Sequence, residues 1–301
     1  MRRWGFLGCA ALVLSACAQL APQEALPSVG SRPIAIGTQH AIHSNVYGEL
    51  RTINVQVPAE YGDTETPPNV LFVLDGGLGQ DFQHIAGLGQ LASLSWTMEP
   101  MLVVGVESQD RRNEFTAPAE NTAYLEEFPT SGGAEKFRAF LEQDVMPFVQ
   151  ANYRTGGRTA LMGESLAGLF VVDTFLTRRD LFDDYISVSP SLWWDDQHLV
   201  KSAAPLLRKE APGLRRLYLT IGDEGGAMQA GMDKLRAALE ANPRDHTEWL
   251  YRDQSEDETH ATIYHGSALE ALRWLYATPP YDYGETPWYY LEENERDALN
   301  Q

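Results

Sequence analysis

The chain has 301 residues, 44% hydrophobic and 22% charged, so it can bury one substantial core. Lys and Arg number 23 against 42 Asp and Glu, a formal charge of −19. So acidic a surface repels phosphate backbones and excludes nucleic acid from the expected partners.

The first segment reads as an export signal. Arg2 and Arg3 form a basic start, and Trp4 to Val13 an apolar run too short to span a bilayer as a permanent helix. Leu14-Ser15-Ala16-Cys17 resembles a bacterial lipobox. Residues 1–16 are therefore expected to be a lipoprotein signal peptide and Cys17 the lipidated first residue of the mature protein. The plainer alternative is a secretory signal cut after Ala16. Cleavage removes Cys9 and leaves no disulfide and no cysteine-based metal site. Residues 17–32, small, polar and Pro-containing, read as a flexible tether. Several acyl chains on Cys17 would anchor it stably, where one alone is marginal. Ala18 lacks the acid that marks inner-membrane retention in enterobacteria, which favours the periplasmic face of the outer membrane.

From Pro33 to residue 280, strand-like and helix-like segments alternate with no repeat and no dividing linker. "RTINVQVP" from Arg51 has the strand period of an outer strand with one solvated face. "NVLFVLDGG" from Asn69, "MLVVGVES" from Met101, "RTALMGES" from Arg158 and "RRLYLTIGDE" from Arg215 are short apolar runs, as in strands buried on both faces. "AEKFRAFLEQDVMPFVQANY" reads as one helix with Phe137, Phe140, Leu141, Val145 and Phe148 on a single face. "AMQAGMDKLRAALEAN" and "HGSALEALRWLYA" are helical as well. The alternation predicts an α/β fold, a central mostly parallel sheet with helices on both faces. Residues 281–301, aromatic and then acidic, are expected to pack onto the body before fraying.

Within this frame Gly163-Glu164-Ser165-Leu166-Ala167-Gly168 joins a buried strand to a helix, the context of a nucleophile elbow. A turn that sharp needs small neighbours two positions away, and Gly163 and Ala167 qualify. The chain order of this site type is Ser, acid, His. That leaves His198, His246, His260 and His265. His260 lies in the loop expected between the last strand and the last helix, and His265 at the start of that helix, so His260 is preferred. The acid should follow "LYLTIG", where Asp223 and Glu224 are adjacent and either could orient the imidazole. An oxyanion hole requires backbone N–H donors. Leu166 follows the nucleophile, and Gly76 or Gly77 after "VLFVLD" would let backbone approach substrate; Gly76 is the leading candidate.

Six segments in order, "VLFVLDGG", "VVGVESQDRRNEFTAP", "FLEQDVMPFVQANYRT", "GESLAGLF", "YISVSPSLWWDD" and "ETHATI", resemble an esterase family over residues 35–277. It contains esterase D-like enzymes and hydrolases of ferric-enterobactin-type siderophores, with feruloyl and acetyl-xylan esterases more distant. The resemblance implies the α/β-hydrolase fold, Ser165 as nucleophile, His260 as base, and Glu224, before Gly225, as the acid. It also places Trp193 or Trp194, Trp194 foremost, in the pocket lining, and Arg111 or Arg112, Arg111 foremost, against an acidic substrate. The chain departs from the family at Glu164, where histidine is more frequent, and at Ala167, which replaces a glycine; Glu164 leaves the substrate class open.

No phosphate loop, dinucleotide fingerprint or metal-ligand cluster occurs in the sequence, so no cofactor and no metal are expected. The expected activity is serine-dependent hydrolysis of a siderophore lactone or other small ester in the cell envelope. Acylated carbohydrate as substrate, acyl transfer, and a non-catalytic binding role on the same scaffold are the alternatives.

Overall fold

A computed structural model describes residues 30–279 and residue 292. The expected signal peptide, Cys17 and most of the tether lie outside the described residues, as does the C-terminal tail apart from Glu292. The chain divides into Met1–Ala35 and Ile36–Gln301, and the sheet belongs to the second unit.

Eight strands build that sheet: β1 (Thr38–His43), β2 (Leu50–Gln56), β3 (Asn69–Leu74), β4 (Met101–Val106), β5 (Thr159–Glu164), β6 (Asp184–Val188), β7 (Arg215–Ile221) and β8 (Thr247–Asp253). Their order is β1-β2-β4-β3-β5-β6-β7-β8. β2 is antiparallel to both neighbours, and every pair from β4 to β8 is parallel. This is the sheet of an α/β-hydrolase.

The helices before the elbow are α1 (Phe82–Leu94), α2 (Arg111–Phe115), α3 (Thr122–Glu127), α4 (Ala134–Phe140) and α5 (Met146–Asn152). After it come α6 (Leu166–Thr177), α7 (Trp194–Lys201), α8 (Ala203–Leu207), α9 (Gly226–Ala241) and α10 (Ile263–Tyr276). Successive strand residues point to opposite faces, so each central strand feeds two cores. Val70, Phe72 and Leu74 of β3 join Phe137, Phe140 and Phe170 on one side. Leu71 and Val73 join Phe82 and Ile85 of α1 and Leu272 of α10 on the other. Continuous apolar runs are what such strands need, and all of β3 and β4 is buried.

Two elements differ from their expected form. β2 is not outermost, because β1 pairs along its edge and residues Ile53 to Gln56 are buried. The polar members of its alternation are bonded inside rather than solvated: Asn54 Nδ2 donates to Gly76 O at 2.8 Å and Gln56 Nε2 to Gln90 Oε1 at 2.6 Å, while Gln56 Oε1 is buried without a partner among the described residues. The single helix expected over residues 134–153 is interrupted by a π turn at Leu141–Val145, two residues before Pro147. Proline has no N–H and its ring crowds the carbonyl four residues back; the wider turn relieves that conflict. The added residue rotates the face, so Val149 is buried, while Phe148 is only partly buried and meets the His40 ring at 5.1 Å.

At the amino end of the parallel strands, buried Asp184 accepts from Arg158 Nη2 (2.7 Å), Arg216 Nε (2.7 Å) and the Tyr276 hydroxyl (2.6 Å). This ties β5, β6, β7 and α10 together and leaves the carboxyl ends free for loops.

Candidate active site

Ser165 sits between β5 and α6 with φ 59° and ψ −117°, a backbone region that a non-glycine residue occupies only when its surroundings impose it. The restraints are visible. Its N–H donates to Val188 O at 3.0 Å, and its carbonyl accepts from the N–H groups of Leu169 and Ser191, both at 2.9 Å. The small neighbours have a steric cause: a Cβ on Gly163 would lie 2.7 Å from the Ala167 Cβ. Ala167 is tolerated in a customary glycine place because Gly163 has no side chain.

Glu224 and His260 meet through another close approach. A Cβ on Gly222 would stand 2.9 Å from Glu258 O, and Asp223 N–H donates to that same oxygen at 2.8 Å. The 254–262 loop therefore packs directly on the end of β7, which brings His260 Nδ1 to 2.5 Å from Glu224 Oε1. Ser189 Oγ donates to the same carboxylate oxygen. The Glu224 side chain is 8% exposed, whereas Asp223 is exposed and carries no side-chain partner among the described residues. With Glu224 ionised, Nδ1 holds the proton and Nε2 is left as the basic nitrogen.

Ser165, Glu224 and His260 line one cleft of about 240 Å³, together with Leu166, Ser191, Arg111, Arg112, Thr116, Phe128, Trp193, Trp194 and Met228. The Ser165 hydroxyl is hydrogen-bonded to Ser191 Oγ at 3.2 Å rather than to the imidazole. Catalytic hydrogen bonds are often long without substrate and tighten with it. Leu166 opens α6, so its N–H has no intrahelical acceptor and is available at the cleft.

Gly76 is corrected by the structure. Its N–H donates to Val106 O at 2.9 Å, and a side chain there would collide with Gly105 of β4. The glycine serves strand packing, not substrate approach. The N–H of Gly77 donates to Gln80 Oε1 at 2.9 Å.

Arg111 borders the cleft but is paired with Asp75 Oδ2 at 2.8 Å. Arg112 has no carboxylate partner among the described residues, and its guanidinium lies 5.0 Å from the centre of the Phe128 ring. Trp194 is buried, with Nε1 donating to Ala117 O at 3.1 Å, while Trp193 is partly exposed. The remaining histidines are elsewhere. His265 packs against the His84 ring at 4.9 Å, His198 pairs with Glu120 at 3.3 Å, and His246 is exposed.

Several site residues carried no role in the sequence reading. Ser189 and Ser191 flank Pro190 in a segment singled out there for its tryptophans. Glu164 lies behind the nucleophile with its carboxyl pushed up to about 7 by burial, Asp81 and Glu224 raising it further while His260 and Arg111 oppose. Asp81 is pushed up to about 6, first by burial and then by Asp75. Asp75 after β3, Asp81 at the N-cap of α1 and Glu164 at the end of β5 form no pattern along the chain, and of the three only Glu164 is marked in the sequence, as a departure from the family.

A family described as "Putative esterase" matches residues 44–272. Ferri-bacillibactin esterase BesA of Bacillus subtilis is 35% identical over 115 residues, 34% of this chain and 40% of that protein. Siderophore triacetylfusarinine C esterase of Aspergillus fumigatus is 28% identical over 195 residues, 58% of this chain and 64% of that protein. The chain thus matches less than two thirds of the length of these curated relatives. The crystal structure of the BES protein from Bacillus cereus has a TM-score of 0.73 at 22% identity, covering 84% of this chain and all of that one, a likeness of fold. The family match spans Ser165, Glu224 and His260 in one stretch, and by it the chain belongs to this esterase family of α/β-hydrolase fold.

Proposed function

We propose that this chain is a serine-dependent carboxylic-ester hydrolase acting on a siderophore ester. The observation that carries the reading is one cleft in which a strained Ser165 lies beside a bonded His260–Glu224 pair. Ser165 Oγ attacks the ester carbonyl while His260 Nε2 takes its proton, and Glu224 holds Nδ1–H and supports the imidazolium. The Leu166 N–H donates to the oxyanion at the helix N-terminus. The Gly77 N–H supplies a second donor once Gln80 Oε1 is displaced. His260 returns the proton to the leaving alcohol, then activates a water that releases the acid and restores Ser165. The substrate class is supported by the names of the relatives and by a cleft that combines Arg111 and Arg112 with Phe128 and Trp193.

A serine-reactive fluorophosphonate probe should label the folded protein and leave Ser165→Ala unlabelled. Folded wild type that neither labels nor hydrolyses p-nitrophenyl acetate would sink the esterase reading.

We also propose that the protein is lipid-anchored in the bacterial cell envelope through Cys17. The support is Leu14-Ser15-Ala16-Cys17 after a short apolar run. Cys17→Ser should move the protein from the detergent to the aqueous phase, and equal partitioning of both forms would overturn the anchor.

A further inference from the structure

On the far side of Trp193 the cleft is continued by an open groove of about 510 Å³, lined by Tyr124, Trp193, Asp196, Gln197, Lys201, Ala227 and Lys234. Trp193 borders both spaces. The first turn of α9 does the same, with Met228 on the cleft and Ala227 on the groove. The groove is chemically unlike the rest of this acidic chain. Two of the four lysines in the sequence, Lys201 and Lys234, converge there. Lys201 has no ion-pair or hydrogen-bond partner among the described residues, and Lys234 Nζ donates to a neutral acceptor, Gln197 Oε1. The one acid on the wall, Asp196, is engaged by Asn121 Nδ2 at 2.8 Å and faces the Tyr124 hydroxyl at 3.5 Å.

The wall between cleft and groove is built at a conformational cost. Asp195, Asp196 and Gln197 are three successive non-glycine residues with φ 46°, 50° and 67°. Buried Asp195 accepts the N–H groups of Glu120 and Asn121, both at 3.0 Å, and Gln197 Nε2 donates to Ala227 O at 2.9 Å. Backbone held in such a region persists where surrounding contacts over-determine it, and it clusters at ligand sites. Beside it the Trp193 ring stacks on Tyr124, 6.2 Å between centres and 23° between planes, and the Tyr124 hydroxyl donates to Trp193 O at 3.3 Å.

We infer that this groove is a second substrate subsite, in which Lys201 and Lys234 bind an anionic aromatic arm of the ester against Trp193 and Tyr124. An ammonium without a carboxylate partner favours an anion, and the stacked rings offer an apolar face to an aromatic one. The site extends the proposed esterase reading and selects large anionic substrates over neutral ones that fit the same cleft.

The test measures binding in the Ser165→Ala background, so that it stands apart from turnover. The probes are a trianionic ferric tris-catecholate triester and a neutral ferric tris-hydroxamate ester, followed by quenching of tryptophan fluorescence. Lys201→Glu/Lys234→Glu should lower affinity for the trianionic complex relative to the neutral one at least tenfold at low salt. The charge-matched Lys136→Glu/Lys209→Glu protein should keep the wild-type preference. Lys201→Glu alone, which loses no internal contact, carries the test should the double variant not fold. Unchanged preference in the groove variants, an equal loss in the control, or no binding of the trianionic complex by the parent protein would each overturn the subsite. Loss of hydrolysis alone bears on the esterase reading and not on this one.

Discussion

Glu224 Oε1 lies 2.5 Å from His260 Nδ1, although 36 positions separate the two residues in the chain. Asp223, the immediate neighbour of Glu224, spends its N–H on Glu258 O and leaves its carboxylate in solvent. Glu224→Gln should therefore leave the imidazole without a fixed tautomer and lower kcat by roughly 10⁴, the cost seen when another triad's acid is neutralised. Asp223→Asn should stay within a few-fold of wild type. Steady-state assays of both variants on one activated ester decide between them, and a large deficit confined to Asp223→Asn would reassign the acid.

His260 and His265 are close in sequence and far apart in surroundings. Removal of His260 should leave a folded protein whose kcat is lower by several orders of magnitude, as loss of a triad member does. His265→Ala removes only an edge contact with His84 and should retain activity. The reverse pattern in the same assay would move the base to His265.

Glu164 gives the stability a pH dependence of defined sign. Its folded carboxyl is held at about 7 against an ordinary 4.5, and that of Asp81 at about 6 against 3.8, both chiefly by burial. The folded state binds these protons more tightly than the unfolded state does. Their contribution to stability is full below the unfolded values and is lost as pH rises through about 6 to 7. Thermal melts between pH 5 and pH 8 should show Tm falling across that window. Glu164→Gln should flatten the fall and raise Tm at pH 8 relative to wild type. A variant whose Tm tracks wild type at every pH would refute the assignment.

The elbow makes a steric prediction as well. Gly163→Ala places a methyl 2.7 Å from the Ala167 Cβ, inside a turn with no room to give. Overpacking of this kind costs about 1–3 kcal/mol, readable as a lower urea midpoint at unchanged slope. Gly163→Ala/Ala167→Gly should recover little of the loss, because the new methyl still meets the backbone carbon of residue 167 at 2.8 Å and its oxygen at 2.9 Å.

Much of this protein is encoded locally. The runs that became β3, β4, β5 and β7 are mostly apolar, as strands buried on both faces are. The elbow is local in composition, a serine between small residues at a strand–helix junction, although Val188 and Ser191 hold its backbone from another segment. Chain order then limits where a histidine partner can stand. What these signals leave open is which atoms of adjacent residues meet distant ones. Asp223 and Glu224 have the same chemistry, and the choice falls to the backbone of Glu258 packed on Gly222. Gly76 reads as an approach to substrate until Gly105 occupies the space beside it and Val106 takes its N–H. The π turn ahead of Pro147, the edge strand along β2 and the acids around Glu164 have the same origin. Each depends on contacts between segments far apart in the chain, and those contacts exist only once the sheet has closed on its two cores.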